Sequence, residues 1–503
     1  MMPRLSRSAA REEGLLPFTP DAAGVQEQQS LRIVHLGFGA FARAHTALYT
    51  ELAELRSQDP SQQWRIVGVT QRSNTVAEQL NPQDGLYSVV DVGPGAAGVQ
   101  LVTCVDEVLS GPDESDAVVA LIADPQTRIV SLTITEKGYR LDAAGHGIDR
   151  ADPEIQADLA GRAPGTAVGQ IVRGLQLRHR RDAGPLAVLS CDNLPGNGEL
   201  TREAVRSFIR ALPEDGTEEL LAWVQDSVSF PNTMVDRMVP QPTAETVEQA
   251  ARALGFTDEG AVPGEHFTQW VIEDDFPGGR PQWELAGATF SDQVRQWEDI
   301  KLRMLNAGHT LLASLGLCVG APTINDAVQE EAFARACREM YRLEVLPTLE
   351  LPQGVDGEAY GEEVLRRFAN ESLGHTTAKV GSDGSLKIGP RLGETITRCL
   401  DSGLTPQWAS LAVAAWVHHV LHGREEDVAD PLADQMRRQG LSAEGAEGSV
   451  SEVLRIAGLF EDLQARDELL RVIVEWARIL RTGDEALRSE IIRRSEERSS
   501  ADG

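Results

Sequence analysis

The sequence predicts an α/β protein in two parts: a doubly wound parallel sheet in the N-terminal part and a mostly α-helical C-terminal part. Two observations support this prediction. Up to about residue 285, short apolar runs typical of buried strands alternate with segments of helical spacing. Such alternation is typical of parallel sheets with right-handed crossovers. Beyond that point, long helical patterns dominate and β-branched runs are sparse.

The elements of the N-terminal part follow from its apolar runs. Residues 1–28 are predicted to be a disordered leader, and residues 29–285 to be the α/β domain. Helical spacing follows the first strand to about residue 55, and residues 118–123 could close a further helix. The runs that predict buried strands are 31–36, 64–70, 127–134 and 186–191.

The C-terminal part, residues 286–482, is predicted to be a helical domain. Residues 483–503 are predicted to be a charged tail. The helical patterns cover residues 300–315, 332–343, 407–421, 450–463 and 467–481.

Composition narrows the class of partner. The formal net charge is −30, and a field of that sign repels phosphate, which argues against nucleic acid and anionic membranes as partners. No apolar run reaches the roughly 18 residues of a membrane span, and residues 11–13 (Arg-Glu-Glu) interrupt any signal-peptide core. Five scattered cysteines disfavour a disulfide framework or a zinc-ribbon site. We expect a cytoplasmic protein, a monomer or weak oligomer, that binds a small molecule.

A glycine-rich turn, Gly37-x-Gly39-x-x-Ala42, follows the first predicted strand and opens a helix. The first glycine permits a tight turn, and the second lets a pyrophosphate approach the backbone. The helix N-terminus then faces the phosphates, so the context predicts a Rossmann-like dinucleotide site. A tight turn without ligand is the alternative. The predicted cofactor-binding residues of this turn are Gly37, Phe38, Gly39, Ala40 and Phe41.

The end of the second strand bears on the choice of cofactor. NAD-type folds often place Asp or Glu there to bind the ribose. Here the strand ends in Thr70-Gln71-Arg72-Ser73, without an acid. Thr70 and Arg72 are predicted to contact the cofactor, although Arg72 could meet either a 2′-phosphate or only solvent. NAD is the expected cofactor, and NADP stays open.

The segment 298–309 combines three polar residue types at helical spacing. At about 100° per residue, Lys301 and His309 lie about 80° apart, and Lys301 and Asn306 about 140°. A Lys in partly apolar surroundings could act as a general base, an Asn amide could donate to a developing alkoxide, and a His could hold a hydroxyl. By helix geometry alone, a solvated Lys with two satisfied surface residues is the favoured interpretation.

Other polar clusters have ordinary alternatives. Asn193 could be a second amide donor or part of an Asn-Gly turn. Asp236 and Arg237 could pair with each other. The His-rich run 418–422 could suggest zinc, but we interpret it as helix surface because a further ligand is missing.

Together, these segments resemble the mannitol dehydrogenase family of long-chain polyol-specific dehydrogenases. The resemblance runs in family order from about residue 30 to 480. The matching segments are HLGFGAFARAH (35–45), SLTITEKGY (131–139), SCDNLPGNG (190–198), FPNTMVDRMVP (230–240), WVIEDDFPGGRPQWELAGATF (270–290), KLRMLNAGH (301–309) and SDGSLKIGPR (382–391).

The resemblance implies a Rossmann-like domain, a helical domain, an active site between them and no metal. It implies that Lys301 is the general base and that Asn193 and Asn306 form an amide pair that stabilises the oxyanion. His309 would position the substrate, and Glu298 would help to pass the proton to solvent. The expected substrate-binding residues are Asp236, Lys387, Lys137, Lys379 and His375.

The substrate is less sharply implied. Lys137 in TEKGY, the KLRMLN segment and His375 resemble the uronate reductases, and an added Lys would favour a carboxylate. Against this, CDNLPGNG resembles the mannitol enzymes, and Lys137 could also be a solvated surface residue. Two departures from the family, AGH in place of the usual GSH at 307–309 and Lys379 in place of the usual Arg or Gln, leave the substrate and cofactor open without affecting the base. We expect a fructuronate reductase that interconverts D-fructuronate and D-mannonate. The alternatives are a mannitol 2-dehydrogenase, a mannitol-1-phosphate 5-dehydrogenase and a catalytically silent polyol-binding regulator.

Overall fold

The computed structural model divides into two compact units, Met1–Arg295 and Gln296–Gly503. The division falls slightly after the predicted residue 285. The structure describes residues 2–16, 29–59, 62–93, 98–142, 145, 147–213, 215–461 and 466–499. In these ranges no helix combines the length and the apolar character that crossing a membrane requires.

The first unit is built on a six-stranded parallel sheet. In chain order, the strands of this unit are β1 (Gln29–Leu36), β2 (Gln62–Thr70), β3 (Tyr87–Val92), β4 (Val99–Val102), β5 (Val105–Ser110), β6 (Thr127–Leu132), β7 (Leu186–Ser190), β8 (Val228–Ser229), β9 (Thr233–Asp236), β10 (Val262–Glu265), β11 (Gln269–Ile272) and β12 (Thr289–Phe290). The large sheet has the order β5-β2-β1-β6-β7-β8, and two small sheets have the orders β10-β3-β4 and β12-β11-β9. Counted along the chain, the large sheet is 3-2-1-4-5-6, the doubly wound order of dinucleotide-binding domains. The predicted fold class is confirmed.

The helices of the first unit pack around its sheets. They are α1 (Arg7–Glu12), α2 (Ala40–Ala44), α3 (Thr46–Arg56), α4 (Thr75–Leu80), α5 (Ser115–Ile122), α6 (Pro153–Leu159), α7 (Ala167–Arg180), α8 (Asn197–Ala211), α9 (Thr217–Ser227) and α10 (Ala244–Leu254). Alternate residues of β1 point to opposite faces, so Val34 and Leu36 are buried in one core cluster, and Leu31 and Ile33 in another. Burial on both faces explains why the strands of the large sheet are rich in apolar residues on both of their sides.

The N-terminal leader corrects one expectation. Residues 2–16 are folded against the first unit, so the prediction of disorder is wrong for them. Leu5 and Ala10 are fully buried in a cluster with Leu86 and Phe256. The Arg7 guanidinium donates to main-chain carbonyls on either side of Cys104, at 2.8 and 2.9 Å. Leu5 and Ala10 are five residues apart, a spacing that matches neither a helix nor a strand pattern. Only the tertiary contacts show that they pack against Leu86 and Phe256. The remainder of the leader lies outside the described residues.

The C-terminal part is helical, as predicted. From residue 294 on, the helices are α11 (Val294–Ile300), a π-helix (Lys301–Asn306), α12 (Ala307–Val319), α13 (Ile324–Gln329), α14 (Glu331–Met340), a second π-helix (Tyr341–Val345), α15 (Gly357–Phe368), α16 (Thr377–Gly381), α17 (Gly384–Asp401), α18 (Gln407–His422), α19 (Ala433–Ser442), α20 (Gly445–Ile456), α21 (Arg466–Leu480) and α22 (Asp484–Ser499). The predicted charged tail is wrong for α22, which packs against α14. Leu487 and Ile491, four residues apart, give α22 a narrow buried stripe under its charges.

Candidate functional site

The glycine-rich turn of the first unit has the geometry of a phosphate-binding turn. Gly37 has φ +87°, and a Cβ there would lie 2.2 Å from the Thr133 carbonyl oxygen, so only glycine fits. Gly39 is different, because a Cβ there would meet no protein atom closer than 3.8 Å. Its open side is where a ligand could approach the backbone. The turn therefore fits the pyrophosphate of a dinucleotide.

The other predicted residues of this turn play different parts. The Phe38 side chain is buried and lies so close to Gly68 of β2 that a Cβ on that glycine would be 2.5 Å from it. The Phe38 backbone N–H donates to the Val69 carbonyl at 3.0 Å. Phe41 stacks on His45 with ring centroids 4.9 Å apart, and Ala40 begins α2. The side chain of Phe38 thus shapes the turn from inside the core.

A buried histidine, which the sequence analysis did not single out, supports the turn from below. The Thr133 hydroxyl donates to the Gly37 carbonyl at 2.8 Å, so it accepts from Nε2 of His35 at 2.9 Å. Nδ1 of His35 then accepts from the Ser131 hydroxyl at 2.7 Å. Complete burial lowers the pKa of His35 to about 3, so the ring is neutral in the folded protein.

This histidine predicts acid sensitivity. His35 in the unfolded chain takes up a proton below its ordinary pKa of 6.5, whereas the folded protein keeps it neutral down to about 3. Its contribution to the free energy of unfolding is therefore complete above pH 6.5 and is lost progressively as the pH falls. We expect the unfolding free energy of the His35→Gln variant to vary less between pH 7 and pH 4 than that of wild type. Denaturant titrations at several pH values test this, and parallel curves would contradict it.

The end of β2 carries an exposed cation. The Thr70 hydroxyl donates to the Leu109 carbonyl at 3.3 Å, and the Gln71 amide donates to Gln170 at 3.1 Å. Arg72 is exposed, and it has no hydrogen bond or ion pair with any part of the chain that the structure describes. The ribose end of a dinucleotide would therefore meet an available guanidinium.

Two loops meet at the carboxyl ends of β6 and β7. Asp192 accepts from the N–H groups of Ile134 and Thr135 at 3.1 and 2.8 Å, and from the Tyr139 hydroxyl at 2.8 Å. Burial raises the pKa of this carboxyl group. Thr135 has φ +64° and ψ 163°, a conformation that costs a β-branched residue on the order of 1–3 kcal/mol. The hydrogen bonds that Asp192 accepts from Ile134 and Thr135 offset this strain. The position of Asp192 after a strand did not by itself predict this structural role.

The predicted residues around this edge differ in exposure. Asn193 and Lys137 are exposed, whereas Asp236 is buried at the end of β9. Arg237 has a structural role: its guanidinium forms an ion pair with Asp91, at 3.1 Å, and donates to the Glu265 carbonyl, at 2.9 Å.

In the second unit, the π-helix Lys301–Asn306 changes the predicted geometry. The expectation of a regular α-helix with Lys301 and Asn306 about 140° apart is wrong here. In a π-helix, hydrogen bonds join residues five apart, so these two residues lie on the same side, one turn from each other. Lys301 is buried with 6% of its surface exposed, and His309 follows in α12.

Close packing fixes this π-helix and explains the departure at Gly308. The Tyr341 hydroxyl donates to the Met304 carbonyl at 2.9 Å. A Cβ at Gly308 would lie 2.0 Å from that same hydroxyl. The AGH of this chain is therefore matched to Tyr341, because a serine at 308 would collide with it.

His309 is surrounded by an aromatic ring and a second histidine. Its ring centroid lies 4.3 Å from that of Phe368 and 6.0 Å from that of His375. Burial lowers the pKa of His375, and the charges of Lys379 and Arg367 add to this. Lys379 is exposed, and Glu298 lies half-buried in α11.

Lys387 extends this polar region along α17. Its ammonium donates to the Ser382 hydroxyl at 3.3 Å and lies 3.9 Å from the exposed Asp383 carboxylate. Burial lowers the pKa of Lys387, and the charge of Arg391 lowers it further. Arg391 was not among the predicted site residues, although its four-residue spacing from Lys387 was an available indication.

The lysines of this chain are few and concentrated in these motifs. Only four of its 47 Lys and Arg residues are lysines. They are Lys137, Lys301, Lys379 and Lys387, and each was predicted as a site residue. Arginine supplies the other basic side chains, which favours a specific use for the compact ammonium where it is retained.

Comparison with known proteins decides the family. A model of the mannitol dehydrogenase Rossmann domain matches residues 31–285, and a model of the mannitol dehydrogenase C-terminal domain matches residues 293–479. The chain belongs to the mannitol dehydrogenase family. It is an oxidoreductase of that family, as the resemblance implied.

Three relatives place it within the mannitol dehydrogenase family. The D-mannonate oxidoreductase of Escherichia coli (strain K12) is 38% identical, over 86% of this chain and 89% of its own. The polyol:NADP oxidoreductase of Gluconobacter oxydans (strain 621H) is 37% identical, over 78% and 81%. The structure of Pseudomonas fluorescens mannitol 2-dehydrogenase with NAD and D-mannitol matches with a TM-score of 0.78 and 29% identity, over 97% and 99%.

The His-rich run on α18 shows no sign of a metal centre. His418 and His422 have ring centroids 4.9 Å apart, and His419 lies 3.4 Å from the Asp427 carbonyl. Within the described ranges, no group of three or more His, Cys, Asp or Glu side chains could hold a metal ion.

Proposed function

We propose that the chain is an NAD(P)-dependent oxidoreductase that interconverts D-fructuronate and D-mannonate. The observation that supports this chemistry best is the π-helix, because it presents Lys301 and Asn306 on one side. His309 follows in the first turn of α12. The substrate assignment rests on the similarity to D-mannonate oxidoreductase and on the retained Lys137.

The residues divide the reaction between them. During oxidation Lys301 takes the proton of the substrate hydroxyl, and Glu298 helps to pass it to solvent. The amides of Asn193 and Asn306 hold the oxygen as negative charge develops on it. His309 positions the sugar. The remaining substrate-binding residues are Asp236, Lys387, Lys137, Lys379 and His375.

The glycine turn and the end of β2 would hold the cofactor. Gly39 would admit the pyrophosphate, Gly37 makes the turn possible, and Thr70 and Arg72 would contact the ribose end of the cofactor. When bound, the nicotinamide accepts or supplies the hydride. The chain itself supplies the proton acceptor and the groups that stabilise the oxygen.

The substrate experiment compares D-fructuronate with D-fructose, because the two differ in a carboxylate against a hydroxymethyl group. Purified protein is assayed in steady state with excess NADH and with excess NADPH. We expect kcat/KM to be at least about tenfold higher for D-fructuronate, equivalent to ~1.4 kcal/mol of transition-state binding. A preference for D-fructose would instead indicate a mannitol 2-dehydrogenase. Turnover of neither would direct the search to phosphorylated or five-carbon polyols.

NAD(H) is the cofactor we propose, and the end of β2 leaves NADP(H) open as the alternative. No carboxylate follows the strand at the ribose position, and the exposed Arg72 guanidinium is available to a 2′-phosphate. We expect Arg72→Gln to raise the Kd for NADPH about tenfold or more and to leave that for NADH nearly unchanged. Quenching of protein fluorescence measures both constants without turnover. An equal change in the Kd for NADPH and for NADH would mean that Arg72 does not bind the 2′-phosphate.

A further inference from the structure

Arg391 on α17 is a half-buried cation that has no acidic partner within the described residues. Its Nη1 donates to the Thr310 hydroxyl at 3.0 Å and to the Asn306 carbonyl at 3.5 Å. Within the described residues, no carboxylate lies within ion-pair distance of it, and Nε and Nη2 have no acceptor. Burial alone lowers the pKa of Arg391 to about 10. A half-buried guanidinium with a free edge, and with no acid beside it among the described residues, offers a place for an anion from outside the chain.

Two fully buried arginines of the chain are satisfied by protein groups. Arg303 donates from Nε to the Thr395 hydroxyl at 2.9 Å, and from its two terminal nitrogens to Thr348. Arg178 uses Nε and both terminal nitrogens to bind main-chain carbonyls. These arginines stabilise the fold. Arg391 keeps one edge of its guanidinium, Nε and Nη2, available for a ligand.

The contacts of Nη1 place the Arg391 guanidinium beside the proposed catalytic groups. Thr310 follows His309 and is four residues from Asn306, so all three lie on one face of the helix. Lys387 lies one turn before Arg391 on the same face of α17. The acid closest to this pair is the exposed Asp383, 3.9 Å from Lys387. The charge of Asp430 also acts on Lys387, whereas no carboxylate of the described residues acts on Arg391.

We propose that Arg391 binds the carboxylate of the substrate and thereby selects sugar acids over sugar alcohols. This inference rests on the proposed function, because it assigns the anionic end of that substrate. A guanidinium edge matches the two oxygens of a carboxylate in a bidentate arrangement. Arg391 contacts the main chain of Asn306 and leaves its amide to the reacting oxygen. The two ends of one sugar acid would then be held by adjacent groups of the second unit.

The test compares Arg391→Gln with wild type on matched substrates. Loss of a charged hydrogen-bonded pair should lower kcat/KM for D-fructuronate roughly 10- to 150-fold, mainly through KM. Activity toward D-fructose should change by less than about threefold, because that substrate has no carboxylate. Arg391→Lys should recover part of the lost kcat/KM for D-fructuronate, because lysine has the positive charge but cannot form the bidentate contact of a guanidinium. Arg366→Gln serves as control, because Arg366 is 70% exposed and pairs only with a neighbouring glutamate.

A binding measurement separates this inference from the proposed function. Calorimetric titration of the NADH complex with D-mannonate and with D-mannitol reports affinity without turnover. We expect Arg391→Gln to weaken D-mannonate binding by the same factor and to leave D-mannitol unaffected. If wild type prefers D-fructose but Arg391→Gln still weakens D-mannonate selectively, the proposed function fails and the carboxylate site stands.

Three results would overturn the role of Arg391. One is an equal loss for D-fructuronate and D-fructose in Arg391→Gln, which would mean that Arg391 only positions Thr310 and Asn306. Another is unchanged D-mannonate affinity in that variant, or no D-mannonate binding by wild type. The third is a larger loss for D-fructose 6-phosphate than for D-fructuronate, which would assign the site to a phosphate.

Discussion

Replacing Lys301 by methionine is expected to lower kcat/KM for the accepted sugar substrate by about 10²- to 10⁴-fold, the usual contribution of a general base. Methionine keeps much of the apolar stem of lysine, so the buried side chain continues to pack while the amine is lost. The π-helix should persist, since it is held by packing and by the hydrogen bond from Tyr341. Steady-state kinetics in the oxidative direction, with circular dichroism of the variant, measure both consequences.

Chemical rescue distinguishes proton transfer from structural support at Lys301. A small primary amine such as methylamine should restore part of the activity of Lys301→Met in proportion to its concentration. Cofactor affinity should remain within about threefold of wild type, because the proposed cofactor residues lie at β1 and β2. Arg366→Met, an exposed cation changed in the same way, is the control. A Lys301→Met enzyme with full activity would remove Lys301 from the mechanism.

Alanine at Gly37 and at Gly39 should have separable effects, although the two glycines belong to one turn. At Gly37 the left-handed backbone costs roughly 1–2 kcal/mol for a non-glycine residue. The Cβ also collides with the Thr133 carbonyl at 2.2 Å, so we expect Gly37→Ala to lower both stability and cofactor affinity. At Gly39 the backbone has φ −91°, and the Cβ finds no protein atom within 3.8 Å. Gly39→Ala should therefore fold with nearly unchanged stability.

The affinity for the cofactor, measured beside stability, distinguishes Gly39→Ala from Gly37→Ala. An added methyl group at Gly39 occupies the space through which a pyrophosphate would approach the backbone. We expect NADH and NADPH affinity to fall at least about tenfold in Gly39→Ala, with a melting temperature within a few degrees of wild type. Fluorescence titration and thermal denaturation supply the two numbers. Unchanged affinity in Gly39→Ala would show that the turn is structural and that the dinucleotide binds elsewhere.

Local sequence was sufficient for most of the fold. Runs such as 31–36 and 127–134 are predominantly apolar, without a strict alternation of apolar and polar residues, because both faces of the sheet are buried, and this marks them as parallel strands. The glycine turn was predictable because a left-handed residue and a close approach to backbone demand glycine at specific positions. The lysine, asparagine and histidine of 301–309 could be named together because they are close in the chain.

What tertiary structure decided depends on contacts between distant residues. The π-helix at Lys301–Asn306 is stabilised by Tyr341, which lies 37 positions further along the chain and donates a hydrogen bond to the Met304 carbonyl. The leader folds because Leu5 meets Phe256, a pairing that no local periodicity encodes. Arg391 looked like any other arginine until its burial, and its lack of an acidic neighbour among the described residues, became visible. Residue type and spacing therefore determined which chemistry is available, whereas the three-dimensional partners determined which side chains are satisfied and which are left for a ligand.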